Sequence, residues 1–168
     1  VFRHTVEALF DRSFGRDVKP ELREQFRAQG LFAPAIDAEL FGRCFVLLRD
    51  HVRPGVPVAQ AERELGERFL ASYFETTMGA MVGVLLKVLS VEQALARAPQ
   101  SLMSGANFIH ARVESVGPRL AQVQMTDFST SPDFLCGVVC ELVRRTGATA
   151  EVTVTKVEGR AVTLRVAW

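Results

Sequence analysis

Ile109-His110-Ala111-Arg112-Val113-Glu114 and Ala121-Gln122-Val123-Gln124-Met125-Thr126 are the two runs that decide the fold. In both, apolar and polar residues alternate one by one, the period of a strand with one buried face. Val116-Gly117-Pro118 between them is a turn signal, so the pair predicts a β-hairpin. A second hairpin closes the chain, with Val152 and Val154, a turn at Glu158-Gly159, then Val162, Leu164, Val166 and Trp168. Ser131-Pro132-Asp133 opens a helix between the hairpins, with the hydroxyl as N-cap, proline first and an acid near the positive end. Phe134, Leu135, Val138, Val139, Leu142 and Val143 form its buried side, and Gly147 stops it.

Upstream the spacing is helical. Val6, Leu9, Phe10 and Phe14 follow it, with Thr5 placed as N-cap. A second helix runs from Pro20 to a stop at Gly30. A third lies between Pro34 and Pro54, with Ile36, Leu40, Phe41, Phe45, Leu47 and Leu48 on its apolar face. After Pro57, Ala61, Leu65, Phe69, Tyr73 and Phe74 recur at three and four residues, while Glu62, Arg63, Glu67 and Arg68 take the other side. From Met81 to Leu89 apolar residues occupy nearly every side, which predicts burial in the core or against a second subunit. Ser90 and Gln93 read as the capping box of one more short helix, ending before Pro99. The fold class is α+β: a helical N-terminal half, then β-β-α-β-β with a four-stranded antiparallel sheet, in a single domain over residues 1–168.

Composition narrows the function classes. The 168 residues are 48% hydrophobic and 23% charged, an ordinary globular balance. Twenty basic and 19 acidic side chains leave a net charge of +1, and the basic residues are dispersed apart from Arg144-Arg145, which argues against nucleic acid. The longest apolar stretch, Met78 to Leu89, contains Lys87 and falls short of the about 20 residues a membrane span needs. Three cysteines, an odd count, fit a reducing cytoplasm rather than a disulfide framework. The chain opens at Val1, which leaves additional terminal segments open.

No motif announces catalysis. Gly-x-Ser-x-Gly and glycine-rich phosphate loops are missing, and Ser101, Ser104, Ser129 and Ser131 sit in turn-like sequence where serine serves as a cap. Enzyme status is disfavoured. Cys136 and Cys140 lie four apart on one helical face, half of a zinc site without a second half, and Cys44 sits between Phe41 and Phe45. Both patterns read as core thiols, so no metal site is expected. His4 and His51 stand at helix ends and His110 on the polar side of its strand; all three read as solvated or locally satisfied. Arg144 and Arg145 complement the C-terminal end of a helix dipole, with anion binding as the alternative.

The run from Tyr73 to Leu89 stands apart, with aromatics, methionines, threonines and Gly79 four residues before Gly83. It reads as a pocket for an apolar small molecule, as a homodimer or partner face, or as plain core. The expected ligand-binding residues are Phe69, Tyr73, Thr77, Met81, Leu85 and Phe134, with no cofactor. The expected function is a non-enzymatic sensor or adaptor that binds an apolar ligand. The alternative is a protein-interaction module without one.

Leu65-Gly66-Glu67-Arg68-Phe69, Tyr73-Phe74-Glu75-Thr76-Thr77-Met78-Gly79 and the closing Arg165-Val166-Ala167-Trp168 resemble a paralogous family of uncharacterised myxobacterial proteins. The element order from Leu65 to Trp168, with Phe134-Leu135-Cys136-Gly137-Val138-Val139, is distantly similar to a broader superfamily. It unites four-vinyl-reductase domains, TRAPP subunits and haem-nitric-oxide-binding domains. The resemblance implies binding of a hydrophobic small molecule, an acyl chain, haem or a partner subunit. No cysteine follows Cys140 and no Tyr-x-Ser-x-Arg occurs, two departures that argue against metal and haem.

Overall fold

In the computed structural model, helices α1 (Arg3–Val6), α2 (Pro20–Ala28), α3 (Ala38–Val52), α4 (Val58–Tyr73), α5 (Thr77–Leu86) and α6 (Val91–Gly105) precede the hairpin β1 (His110–Gly117) and β2 (Leu120–Thr126). Helix α7 (Pro132–Arg145) and the hairpin β3 (Glu151–Glu158) and β4 (Ala161–Ala167) complete the chain. The structure describes residues 1, 3–105, 110–128 and 130–168, without the side chains of 4, 77, 78 and 100–105. The strand prediction at Ile109 and the cap at Ser129 lie outside the described residues, as do the side chains of His4, Thr77, Ser101 and Ser104. The class is α+β.

The four strands form one antiparallel sheet in the order β1-β2-β4-β3. Val123 stands opposite Val113 on one side and Leu164 on the other, which fixes the register of the inward row. Ala121, Val123 and Met125 of β2 and Val162, Leu164 and Val166 of β4 are buried. The alternation is therefore physical: every second side chain meets the core. A register shift between Val154 and Lys156 turns the end of edge strand β3 outward and leaves Val157 exposed.

Local chemistry explains α7. Ser131 Oγ accepts the Phe134 N–H at 3.1 Å, Pro132 is first, and Gly147 beyond the end takes φ +87°. Helix α4 crosses α7, and rings of α2–α4 and the segment after α1 complete the aromatic core: Phe10 meets Phe26 edge-on at 5.0 Å, and Phe45 meets Phe134 likewise at 5.0 Å.

Several expectations need correction. Thr5 lies inside α1 rather than capping it, and the chain widens at once into a π-helical segment over Glu7–Ser13. Ile36 precedes α3, whose cap is Asp37, accepting the Leu40 N–H at 2.6 Å. The Ser90/Gln93 box forms as read, at 3.2 and 3.1 Å, but α6 continues through Pro99 to Gly105. A proline removes only its own N–H and bends the turn before it, so a helix held by packing survives it. Finally, Glu62 is buried against Arg49, and the apolar run is not buried all round: Met81 and Val84 of α5 are 60% and 68% exposed, and Val88 just beyond it 78%.

Candidate functional site

Where α4 ends, the chain turns at Phe74 and enters α5, leaving a space between α5, α6, the sheet and α7. The cavity measures about 230 Å³. Leu70, Tyr73 and Phe74 supply one wall, Val82, Leu85, Leu86 and Leu89 the outer one. Ala94, Leu95, Arg97, Ala98 and Pro99 of α6 line a third side. Ala111 and Val113 of β1, Val123 and Met125 of β2, and Leu135, Val138, Val139 and Leu142 of α7 form the floor. The space exists because α6 and β1 present alanines at 94, 98 and 111, where larger side chains would fill it.

The outer wall is set by short-range geometry. Thr76 Oγ1 accepts the Gly79 N–H at 3.0 Å and donates to the Tyr73 carbonyl at 2.7 Å. The Tyr73 and Phe74 rings meet at 5.7 Å with a 63° tilt. The Arg145 guanidinium lies 5.0 Å from the centre of the Phe74 ring, a cation–π contact that pins the turn to α7. Arg145 Nε also donates to Glu141 Oε1 at 2.6 Å, and Arg144 holds the other oxygen of the same buried carboxylate. The adjacent arginines therefore neutralise Glu141 rather than wait for an outside anion.

Among the described lining residues, Arg97 carries the only charge and Tyr73 the only hydroxyl. Arg97 is exposed at the rim and forms no ion pair among the described residues. Every other described side chain lining the cavity is hydrocarbon or thioether.

Of the residues expected to bind ligand, Tyr73 and Leu85 line the cavity. Phe69 and Phe134 do not: their rings meet each other at 5.7 Å, and Phe134 packs on Phe45 in the main core. Met81 faces solvent, and the Thr77 side chain lies outside the described residues. Sequence reasoning misses the floor and the alanines of α6, whose signal is small residues on the inner face of an otherwise well-patterned helix.

The thiols are packing groups. Cys44 and Cys136 are fully buried, and burial pushes the Cys136 thiol up to about 11 and the Cys44 and Cys140 thiols upward as well. Among the described residues no cluster of three histidine, cysteine or carboxylate side chains could hold a metal ion. Nor is any described helix long and apolar enough to cross a membrane.

The fold has solved counterparts at low identity. An H-NOX mutant carrying 4-cyano-L-phenylalanine, labelled Cs, aligns at TM-score 0.74 and 11% identity over 99% of this chain and 96% of that one. An Fe(II) unliganded H-NOX protein mutant from K. algicida aligns at TM-score 0.69 and 14% identity, covering 99% and 96%. An oxygen-binding H-NOX domain related to soluble guanylate cyclases aligns at 0.68 and 13%, covering 97% and 90%. The shared property is the fold.

Haem, whose distortion is probed in another solved structure of the H-NOX family, does not fit the residues present in this chain. Among the described residues the lining contains no histidine or cysteine, and α6 has no histidine at all. His51 Nε2 accepts the Lys19 N–H at 3.2 Å, and His110 is exposed. Tyr73 and Met125 are of types that can ligate haem iron. Size argues against them: roughly 150 Å³ accommodates benzene, and the described space of about 230 Å³ is small for a four-ring macrocycle.

No curated protein matches the chain. The family model described as "Protein of unknown function (DUF2378)" matches residues 1–168, and the chain belongs to that family.

Proposed function

We propose that this chain is a non-enzymatic sensor domain that binds an apolar small molecule in the cavity between α5, α6, the sheet and α7. The observation that carries the reading is the cavity: about 230 Å³ bounded almost wholly by carbon. Protein interiors are close-packed, so an apolar void of this size forfeits dispersion contacts that a ligand restores. A tenant of on the order of ten non-hydrogen atoms suits it, between the benzene-sized void and a drug-sized pocket. Helix α5 gives the reading its sensing element, because its inner side lines the cavity while its outer side meets solvent. The H-NOX neighbours, one of them titled as oxygen binding, support a binding module. Cytoplasmic residence and a single folding unit over residues 1–168 are part of the same proposal.

Native against denaturing mass spectrometry of the purified protein tests it, with an absorption spectrum on the same sample. Extra mass lost on denaturation, and absent from the cavity-filling variant Ala98→Phe, is the expected result. A clean apo-protein that takes up no small hydrocarbon would remove the reading.

The outer face of α5 favours a second reading. Met81, Val84 and Val88 expose large apolar surface on and just beyond one short helix, which suits a homodimer or protein partner. Sedimentation of wild type against Val84→Asp separates the two: a dimer dissolved by the substitution supports the interface.

A further inference from the structure

We infer that the cavity's ligand is an amphipathic anion, with an alkyl or aryl body inside and a carboxylate, or an equivalent small anionic head, on Arg97. The inference rests on the apolar-ligand reading and adds to it the chemical class of the ligand.

Three observations converge. First, the lining is asymmetric in charge: one guanidinium and no carboxylate among its described residues. A cation would meet repulsion at the rim, a neutral body nothing polar except Tyr73, and an anion a matched partner. Second, Arg97 is uncommitted. Arg49 holds Glu62 at 2.7 Å, Arg68 holds Asp17 at 2.7 Å, and Arg145 holds Glu141 at 2.6 Å, whereas Arg97 holds no carboxylate among the described residues. The sole acid of α6, Glu92, sits in its first turn, where backbone and Ser90 hydrogen bonds hold its carboxyl below the usual range. Third, Arg97 is placed for the task. It follows Ala94 by three residues, the spacing of neighbours on one helix face, and both line the cavity. An arginine can lay its methylenes along apolar surface with its head in water, and its planar fork matches a carboxylate with two parallel N–H···O bonds.

Isothermal titration of the purified full chain with octanoate, 1-octanol and octylammonium tests the assignment, since the three share a body and differ in head charge. Octanoate is expected to bind about tenfold tighter than octanol, the range of a charge-assisted hydrogen bond at a partly exposed site, and octylammonium weakest. Arg97→Ala removes the octanoate advantage and leaves octanol within about twofold; Arg97→Lys restores part of it. Ala98→Phe, checked for folding by circular dichroism, abolishes all binding. Equal affinities for the three probes, or an octanoate affinity indifferent to Arg97→Ala, overturn the anion assignment and leave the apolar cavity standing. Binding of none of them, or binding that Ala98→Phe does not touch, overturns both.

Discussion

Gly66 of α4 and Gly137 of α7 sit against each other's helix backbones where the two helices cross. A Cβ on Gly66 would lie 2.1 Å from the Phe134 carbonyl oxygen, and one on Gly137 would lie 2.0 Å from that of Arg63. Neither obstacle is a movable side-chain tip; both are main chain. The crossing therefore exists only because both residues lack a side chain. It brings Arg63 close enough to donate to the Val152 carbonyl at 3.0 Å, tying α4 to the sheet.

Gly66→Ala and Gly137→Ala are each expected to destabilise the protein by about 3 kcal/mol, at the upper end of overpacking costs, despite alanine's better helix propensity. Urea unfolding followed by circular dichroism measures this. A variant with wild-type stability would show that the helices separate at little cost, contrary to the close approach.

Legibility follows the range of the forces. Helix α7 is readable to its caps because Ser131, Pro132 and Gly147 act within a turn of themselves. The hairpins are readable because alternation is a property of the strand alone. Pro99 misleads because a local rule meets a helix held by its neighbours. Glu62 misleads because its burial depends on Arg49, a partner on another helix that no period in α4 reveals. The apolar run of α5 predicts burial all round, yet Met81, Val84 and Val88 face solvent, so composition alone overstates its burial. The cavity is half legible. Tyr73 and Leu85 belong to the apolar run that stands out in the sequence, whereas Ala94, Ala98 and Ala111 shape the space through what they do not fill.

Arg49 and Glu62 offer a test of buried charge. Their side chains are 15% and 8% exposed and meet at 2.7 Å. Glu62→Ala leaves Arg49 with Asp50, its remaining partner, and a site that has lost its counter-charge. The expected cost is about 2 kcal/mol, below the full range for a broken buried pair because Asp50 remains. Glu39→Ala, which removes the exposed partner of Arg43, should cost under about 0.5 kcal/mol. Equal effects in denaturant titrations would contradict the burial argument.

Cys136 predicts a pH dependence. Burial raises its thiol from 9.0 in the unfolded chain to about 11 in the fold. Below pH 9 both states keep the proton and stability is unaffected. Between about 9 and 11 the unfolded chain releases a proton that the fold retains, so unfolding gains and stability falls with rising pH. The loss is on the order of 2 kcal/mol by pH 11. Cys136→Ala should flatten that part of the stability–pH curve, and in wild type at neutral pH Cys136 should resist a thiol reagent until the protein unfolds. Rapid modification of Cys136 in the native state would contradict its burial.

Gly79 and Gly83 look equivalent in sequence and differ in the structure. A Cβ on Gly79 would stand 1.9 Å from the Tyr73 carbonyl oxygen, so alanine there must push the start of α5 off the turn and break the Thr76 cap. A Cβ on Gly83 would meet only the Phe74 side chain, at an ordinary 3.5 Å. Gly83→Ala is thus expected to favour the helix by about 0.5–1 kcal/mol, slowing amide exchange across α5. Gly79→Ala should accelerate that exchange and alter the emission of Tyr73, the only tyrosine, because its ring packs beside the displaced turn. Since α5 forms the outer wall, the same pair separates wall from ligand: Gly79→Ala should weaken octanoate and octanol alike, whereas Arg97→Ala should weaken octanoate alone. Matching exchange in the two glycine variants would mean that α5 is not anchored through Tyr73, and the outer wall would need another support.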